Sequence, residues 1–167
     1  MTDDLRNPPA PVDRDAADRM WRDYVAAHPE RASVDDEHPV ECFGDSAGLA
    51  DELIELVLHG PKRATAGLVA DFAAEQQPLP RIGGHWIACD GSGAPRAVLR
   101  TRELRIGPVD SVDDAFAFDE GEGDRSRDDW LRSHRRYFSR TCAARGEQFS
   151  EEHEVVFERF AVVWPAT

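Results

Sequence analysis

The spacing of apolar and polar positions divides this chain into helical and extended stretches. From Asp13 to His28, the residues Ala17, Met20, Trp21, Tyr24 and Val25 recur at helical intervals, which predicts an amphipathic helix ended by Pro29. Pro39 to Phe43 reads as a short extended segment. A second helix is predicted behind Asp45 or Ser46 as N-cap, with Leu49, Leu53, Ile54, Leu56 and Val57 on its apolar face and Gly60 and Pro61 as its stop. Ala64 to Glu75 fits either a short helix or a bent strand. Pro78, Pro80, Gly83 and Gly84 mark a turn, after which His85 to Cys89 and Arg96 to Ile106 read as two strands joined across Asp90 to Pro95. Two capping-box patterns follow. Ser111 and Asp114 precede Ala115 to Phe118, and Ser126 and Asp129 precede a long helix with Trp130, Leu131, His134, Phe138 and Cys142 on one face. Glu154 to Trp164, rich in Val and Phe, closes the chain as a strand. Because the strands are not regularly alternated with helical crossovers, the pattern predicts an α+β fold rather than a doubly wound sheet.

Length and charge narrow the picture. A chain of 167 residues suits one domain with a real core, taken as residues 13–167, behind an acidic, Pro-rich lead-in at residues 1–12 that is expected to be disordered. The lead-in lacks the apolar stretch of a signal peptide, and no apolar run approaches the roughly 18 residues of a membrane span. Cys42, Cys89 and Cys142 are odd in number, far apart and without CxxC spacing, which argues against a disulfide framework or a zinc site and predicts a cytoplasmic setting. A net charge of -13 argues against an extended nucleic-acid footprint and leaves a small nucleoside or short RNA as the partner to expect.

The basic residues carry the first chemical signal. Of 20 Lys and Arg residues only one, Lys62, is a lysine. Arginine cannot give up its proton in a protein, whereas a lysine beside another cation, here Arg63, can act as a base. Thr65 is the nearest hydroxyl. The plain alternative is a lysine that only complements the negative end of the preceding helix. The second signal is EGEGD, Glu120 to Asp124, where glycines between carboxylates allow a sharp turn; it reads as a solvated loop or as the source of a site carboxylate, Glu122, while a calcium loop is disfavoured because the twelve-residue spacing with its terminal Glu is absent. The third is His134, one turn from both Trp130 and Phe138, which is either a core histidine or part of a pocket wall that stacks and bonds a base. The chain has no GxSxG, HExxH, P-loop or GxGxxG pattern, so no metal or cofactor is expected.

Several segments in order resemble one family. ECFGDS at Glu41 to Ser46, LVLHGPKRAT, LPRIGGHW at Leu79 to Trp86, EGEGD, WLRSHRRYF at Trp130 to Phe138 and the closing VVFERFAVVW are similar to the ASCH domain over about residues 39–164. The resemblance implies a small β-barrel of the PUA-like type flanked by helices, here with an extra N-terminal helix, and a cleft lined by the KxxT and EGEGD segments. It implies an N4-acetylcytidine-type amidohydrolase with Lys62 as base, Thr65 as nucleophile and Glu122 as the acid or orienting group. The alternative within the same family is an RNA- or nucleotide-binding module, or a ribonuclease, using that cleft. Phe43, Asp45, Arg63, Glu120, Asp124, Trp130 and His134 are the candidate substrate-binding residues, with Phe43 or Trp130 stacking a base and Arg63 gripping phosphate. Whether Glu122 or Glu120 is the site carboxylate stays open at this level.

Overall fold

The computed structural model describes Asn7–Pro165. Among the described residues, five α-helices and five strands alternate irregularly: α1 (Arg14–Ala27), β1 (Val40–Cys42), α2 (Ala47–His59), β2 (Ala64–Leu68), α3 (Val69–Ala74), β3 (His85–Cys89), β4 (Pro95–Gly107), α4 (Asp114–Glu120), α5 (Arg127–Ala144) and β5 (Val155–Trp164). The strands form one sheet in the order β1-β3-β4-β5-β2, so β1 and β2 are its edges. β1 runs parallel to β3, while β3 with β4 and β2 with β5 are antiparallel. This is the expected α+β, PUA-like architecture.

The chain packs as two compact units, between which β4 and β5 each pass. The first comprises residues up to Gly60 together with Gly83–Arg100 and the chain from Ala161 onward. Its core gathers Ala17, Trp21 and Tyr24 of α1 with Val40, Ile87, Cys89 and Val98 of β1, β3 and β4. Asp13 caps α1 by accepting the Ala16 N–H at 2.9 Å, and Ser46 caps α2 by accepting the Leu49 N–H at 3.1 Å. Of the lead-in, residues 1–6 lie outside the described residues. Residues 7–12 are tied down within this unit, since Asn7 O accepts from Ala47 N–H and Ala10 N–H donates to Gly91 O, both at 2.9 Å.

The second unit, Pro61–Ile82 with Thr101–Phe160, has its own core of Ala64, Leu68, Val109, Phe116, Trp130, Leu131, Phe138 and Phe157. The ambiguous stretch from Ala64 resolves into both alternatives in succession, strand β2 and then helix α3. One cap differs from expectation. Asp113, not Ser111, caps α4, accepting the Phe116 N–H at 2.7 Å, because Ser111 is consumed in a 3-10 turn where its hydroxyl donates to Pro108 O at 2.6 Å. Ser126 caps α5 as predicted, accepting the Asp129 N–H at 3.1 Å.

Candidate functional site

Lys62 lies in the second unit, and its backbone neighbourhood is fixed on both sides. The Arg63 N–H donates to Asp119 O at 2.8 Å, and the Phe160 N–H donates to Arg63 O at 3.0 Å, which extends the β2–β5 pairing up to the lysine. From that anchor the side chain turns inward until it is 1% exposed. Its Nζ donates to Ala64 O at 2.8 Å, to Glu122 Oε2 at 2.9 Å and to Glu120 O at 3.4 Å, with Glu120 Oε1 at 3.5 Å. A buried cation ringed in this way is poor evidence for stability, since desolvation offsets much of the attraction, and it marks the cluster as a candidate site.

The two carboxylates come from the turn between α4 and α5. Helix α4 ends at Glu120, and Gly121 takes a left-handed φ of 71°, its N–H closing on Phe118 O at 3.2 Å. That reversal brings Glu122 back onto Lys62. Helix α5 then supplies Trp130 and His134, one turn apart, with their rings stacked at 3.8 Å and 11°.

Glu120 is held from three directions. Trp130 Nε1 donates to Oε2, His134 Nε2 lies 2.9 Å from Oε1, and Lys62 stands beside them. The other imidazole nitrogen, Nδ1, lies 2.9 Å from Trp130 O, which can only accept, so Nδ1 carries a proton. With Nε2 facing a carboxylate, the arrangement is that of an imidazolium paired to an ionised Glu120. Burial alone would push the Glu120 carboxyl up, but the His134 and Lys62 charges outweigh it and hold it down at about 2. Burial likewise favours neutral His134, yet the adjacent Glu120 charge raises it above its ordinary value. Glu122 goes the other way: burial raises its carboxyl and the Glu120 charge adds to the rise, with Lys62 opposing both. Of the two glutamates only Glu122 reaches solvent, at 30% side-chain exposure against 2%.

Glu120, Glu122 and His134 bring one ligand atom each within 4.8 Å of one another, the crowding of a metal centre. The Lys62 ammonium already stands among them, and both imidazole nitrogens are engaged. The donor set is therefore part of an internal ion-pair cluster, in which Lys62 and the His134 imidazolium face the two carboxylates.

Thr65 sits on β2 with Glu158 directly across on β5. Alternation along β2 turns Ala64 and Leu68 into the core and Thr65 to the other face, which it shares with Glu158. Lys62 Nζ does not bond the Thr65 hydroxyl; it bonds Ala64 O, the carbonyl of the peptide that leads into Thr65. Glu158 is 5% exposed and accepts from Thr101 Oγ1 at 2.7 Å. Sequence reasoning passed over Glu158, although a lone carboxylate inside the apolar run VVFERF signals a buried polar contact.

The remaining candidates do not join the cluster as binding groups. Trp130 is 4% exposed, with its indole N–H on Glu120 and its ring stacked between His134 and Phe157, so it offers no free face to a base. His134 is buried and committed to Glu120, which corrects the pocket-wall reading. Glu120 lies in the cluster without access to solvent. Arg63 is exposed, and its guanidinium bonds Lys62 O at 2.6 Å. Asp124 is exposed and accepts the Ser126 N–H at 2.8 Å, a turn-forming role. Phe43 and Asp45 belong to the first unit. There Phe43 is 4% exposed, its ring packed against Trp86 at 5.0 Å, so it too lacks a stacking face, and Asp45 is half-buried.

Comparison with known proteins agrees with this fold. Residues 40–164 match the family model of the ASCH domain. The crystal structure of a protein from Enterococcus faecalis V583 is similar at 29% identity and a TM-score of 0.77, covering 90% of this chain and 89% of that one. An ASCH domain from Lactobacillus crispatus JV V101 is similar at 25% identity and a TM-score of 0.78, covering 91% of this chain and 96% of that one. No curated protein matches the chain. Among the described residues, no helix is long and apolar enough to cross a membrane.

Proposed function

The chain belongs to the ASCH domain family, and from that membership we propose that it is a hydrolase of an N-acylated nucleoside of the N4-acetylcytidine type. The observation that carries the reading is the position of Lys62 Nζ, 2.8 Å from the carbonyl leading into Thr65 and 2.9 Å from Glu122. Lys62 stands against a carboxyl that burial raises, a partner for proton exchange, and on the peptide that leads into Thr65, the hydroxyl that the scheme assigns as nucleophile.

In this scheme Glu122 takes a proton from Lys62, and the freed amine removes the Thr65 proton as Oγ1 attacks the acyl carbon. When the C–N bond breaks, Glu122 returns its proton to the departing nucleoside amine. Water then hydrolyses the acyl ester on Thr65, releasing the carboxylic acid and restoring the hydroxyl. The sum is amide plus water giving amine plus acid. A nucleobase amine leaves poorly as an anion, so proton delivery matters; general acid catalysis is typically worth about 10² to 10⁴-fold. Chromatography of N4-acetylcytidine incubated with wild type and Glu122→Gln tests the scheme. The account expects cytidine from the wild type and a loss in that range from the variant, and equal rates would remove Glu122 from the chemistry.

A second reading, a nucleotide- or RNA-binding module, draws on a separate observation. A cavity of about 460 Å³ in the second unit is lined by Phe116, Phe157, Arg102, Arg105 and Arg159. The Arg105 guanidinium lies 4.1 Å from the centre of the Phe157 ring. Arg159 is already paired with Asp119 and Glu103 at 3.0 Å each, and Glu103 and Asp113 line the same cavity, so the three arginines leave little net cationic charge there for phosphate. Affinity for RNA should therefore depend weakly on salt, and a slope equivalent to about six or more released counterions would favour the binding module.

A further inference from the structure

We propose that Glu120, clamped by Trp130 and His134, is a positioning residue whose fixed charge keeps Glu122 the proton-exchanging carboxylate of the pair; this rests on the hydrolase reading above. Two glutamates separated by one glycine meet the same lysine, and their surroundings drive them apart. Glu120 has each oxygen bonded, to Trp130 Nε1 and to His134 Nε2, and is 2% exposed, so it has no route to substrate. Glu122 has Lys62 on Oε2 and reaches solvent. A carboxylate that stays ionised beside a second one disfavours ionisation of the second, which makes the second able to hold a proton.

The groups that face Glu122 are few. Glu120 faces it from the end of α4, Lys62 from the segment before β2, and His134 from α5. Glu120 acts to raise it, while Lys62 and His134 act to lower it, and the His134 charge is already met by Glu120 at 2.9 Å. The site thus holds two cations and one permanent anion, and Glu122 carries whatever proton the cluster exchanges.

The geometry offers a clean substitution. In Glu120→Gln the amide oxygen accepts from Trp130 Nε1, and the amide N–H donates to His134 Nε2, which becomes the acceptor of a neutral ring while Nδ1–H stays on Trp130 O. Both side-chain hydrogen bonds of Glu120, to Trp130 and to His134, survive; its 3.5 Å ion pair with Lys62 Nζ is lost, and one negative and one positive charge leave together. His134→Gln is the counterpart, removing the cation and leaving the Glu120 carboxylate.

Carbon-13 NMR of the glutamate carboxyls in the full chain, with Glu122→Gln for assignment, reads the result without substrate. In Glu120→Gln the Glu122 titration is expected to move to lower pH by on the order of one unit, and in His134→Gln to move to higher pH. A purely structural role for Glu120 predicts no such opposition. On N4-acetylcytidine the acid limb of kcat, where Glu122 takes up a proton from solvent and can no longer accept that of Lys62, should move to lower pH in Glu120→Gln. An unchanged Glu122 titration in Glu120→Gln overturns the proposal. So does loss of turnover at every pH as complete as in Glu122→Gln, which would make Glu120 itself the exchanging group. If the wild type fails to turn over the nucleoside, the hydrolase reading falls, and the carboxyl titrations still decide the role of Glu120.

Discussion

Gly121 packs directly on the backbone of Lys62: a Cβ built at 121 would stand 2.8 Å from the Lys62 nitrogen and 2.9 Å from its Cα. Such separations are closer than side-chain carbons adopt, and the left-handed φ of 71° adds its own penalty for any L side chain. This contact, more than the acidity of the turn, is why glycine stands between the two glutamates. Gly121→Ala should lower stability by roughly 1–3 kcal/mol from backbone strain alone and loosen the Lys62–Glu122 pair. A thermal melt checks it, and a melting temperature within a degree of wild type would show that the turn yields without cost.

Lys62 tolerates neither removal nor enlargement. Lys62→Met leaves Glu120 and Glu122 without their common cation, and breaking a buried ion pair from one side typically costs about 3–5 kcal/mol. Lys62→Arg preserves the charge and most of the stem. Burial to 1% exposure makes it an overpacking change, worth roughly 1–3 kcal/mol. Turnover of the Arg variant should fall on the order of 10³-fold or more, because guanidinium does not accept a proton. Urea unfolding alongside the cytidine assay separates the two effects, and full activity in Lys62→Arg would exclude lysine as the base.

Stability should be greatest at mildly acidic pH. His134 is raised above its ordinary 6.5 in the folded protein, so its contribution is complete below pH 6.5 and is lost as pH rises through the folded value. Glu120 is lowered from 4.5 to about 2, so its contribution is complete above pH 4.5 and is lost as pH falls toward 2. Glu122, raised, follows the direction of His134. Urea midpoints measured from pH 3 to 9 should peak between about 4.5 and 6.5 and fall on both sides, with both limbs shallower in Glu120→Gln. Identical profiles for the two proteins would mean that the His134–Glu120 pair is not linked to folding.

Most of the fold was legible in the sequence because it rests on local rules. The Ser46 and Ser126 caps, the Gly60 and Pro61 stop, and the α5 face through Trp130, His134 and Phe138 follow from spacing alone. The stretch from Ala64 resisted because a five-residue edge strand running straight into a six-residue helix is too short for either period to declare itself. For the site, the lone lysine and the EGEGD turn pointed to the right contact, Lys62 to Glu122. The roles of Trp130 and His134 were hidden because an aromatic and a histidine one turn apart look the same whether they face a ligand or a buried carboxylate. Only the Glu120 side chain, arriving from α4, distinguishes the cases. Glu158 was hidden for a similar reason, since its proximity to Thr65 depends on the β2–β5 register.

The most direct measurement is release of cytidine and acetate from N4-acetylcytidine by the wild-type protein, set beside Thr65→Val. Valine matches the shape of threonine and deletes only the hydroxyl, whose face on β2 lies opposite the packed core. The account predicts equimolar cytidine and acetate from the wild type and a loss on the order of 10³-fold or more in the variant. No release by the wild type, or release by Thr65→Val at the wild-type rate, would contradict it.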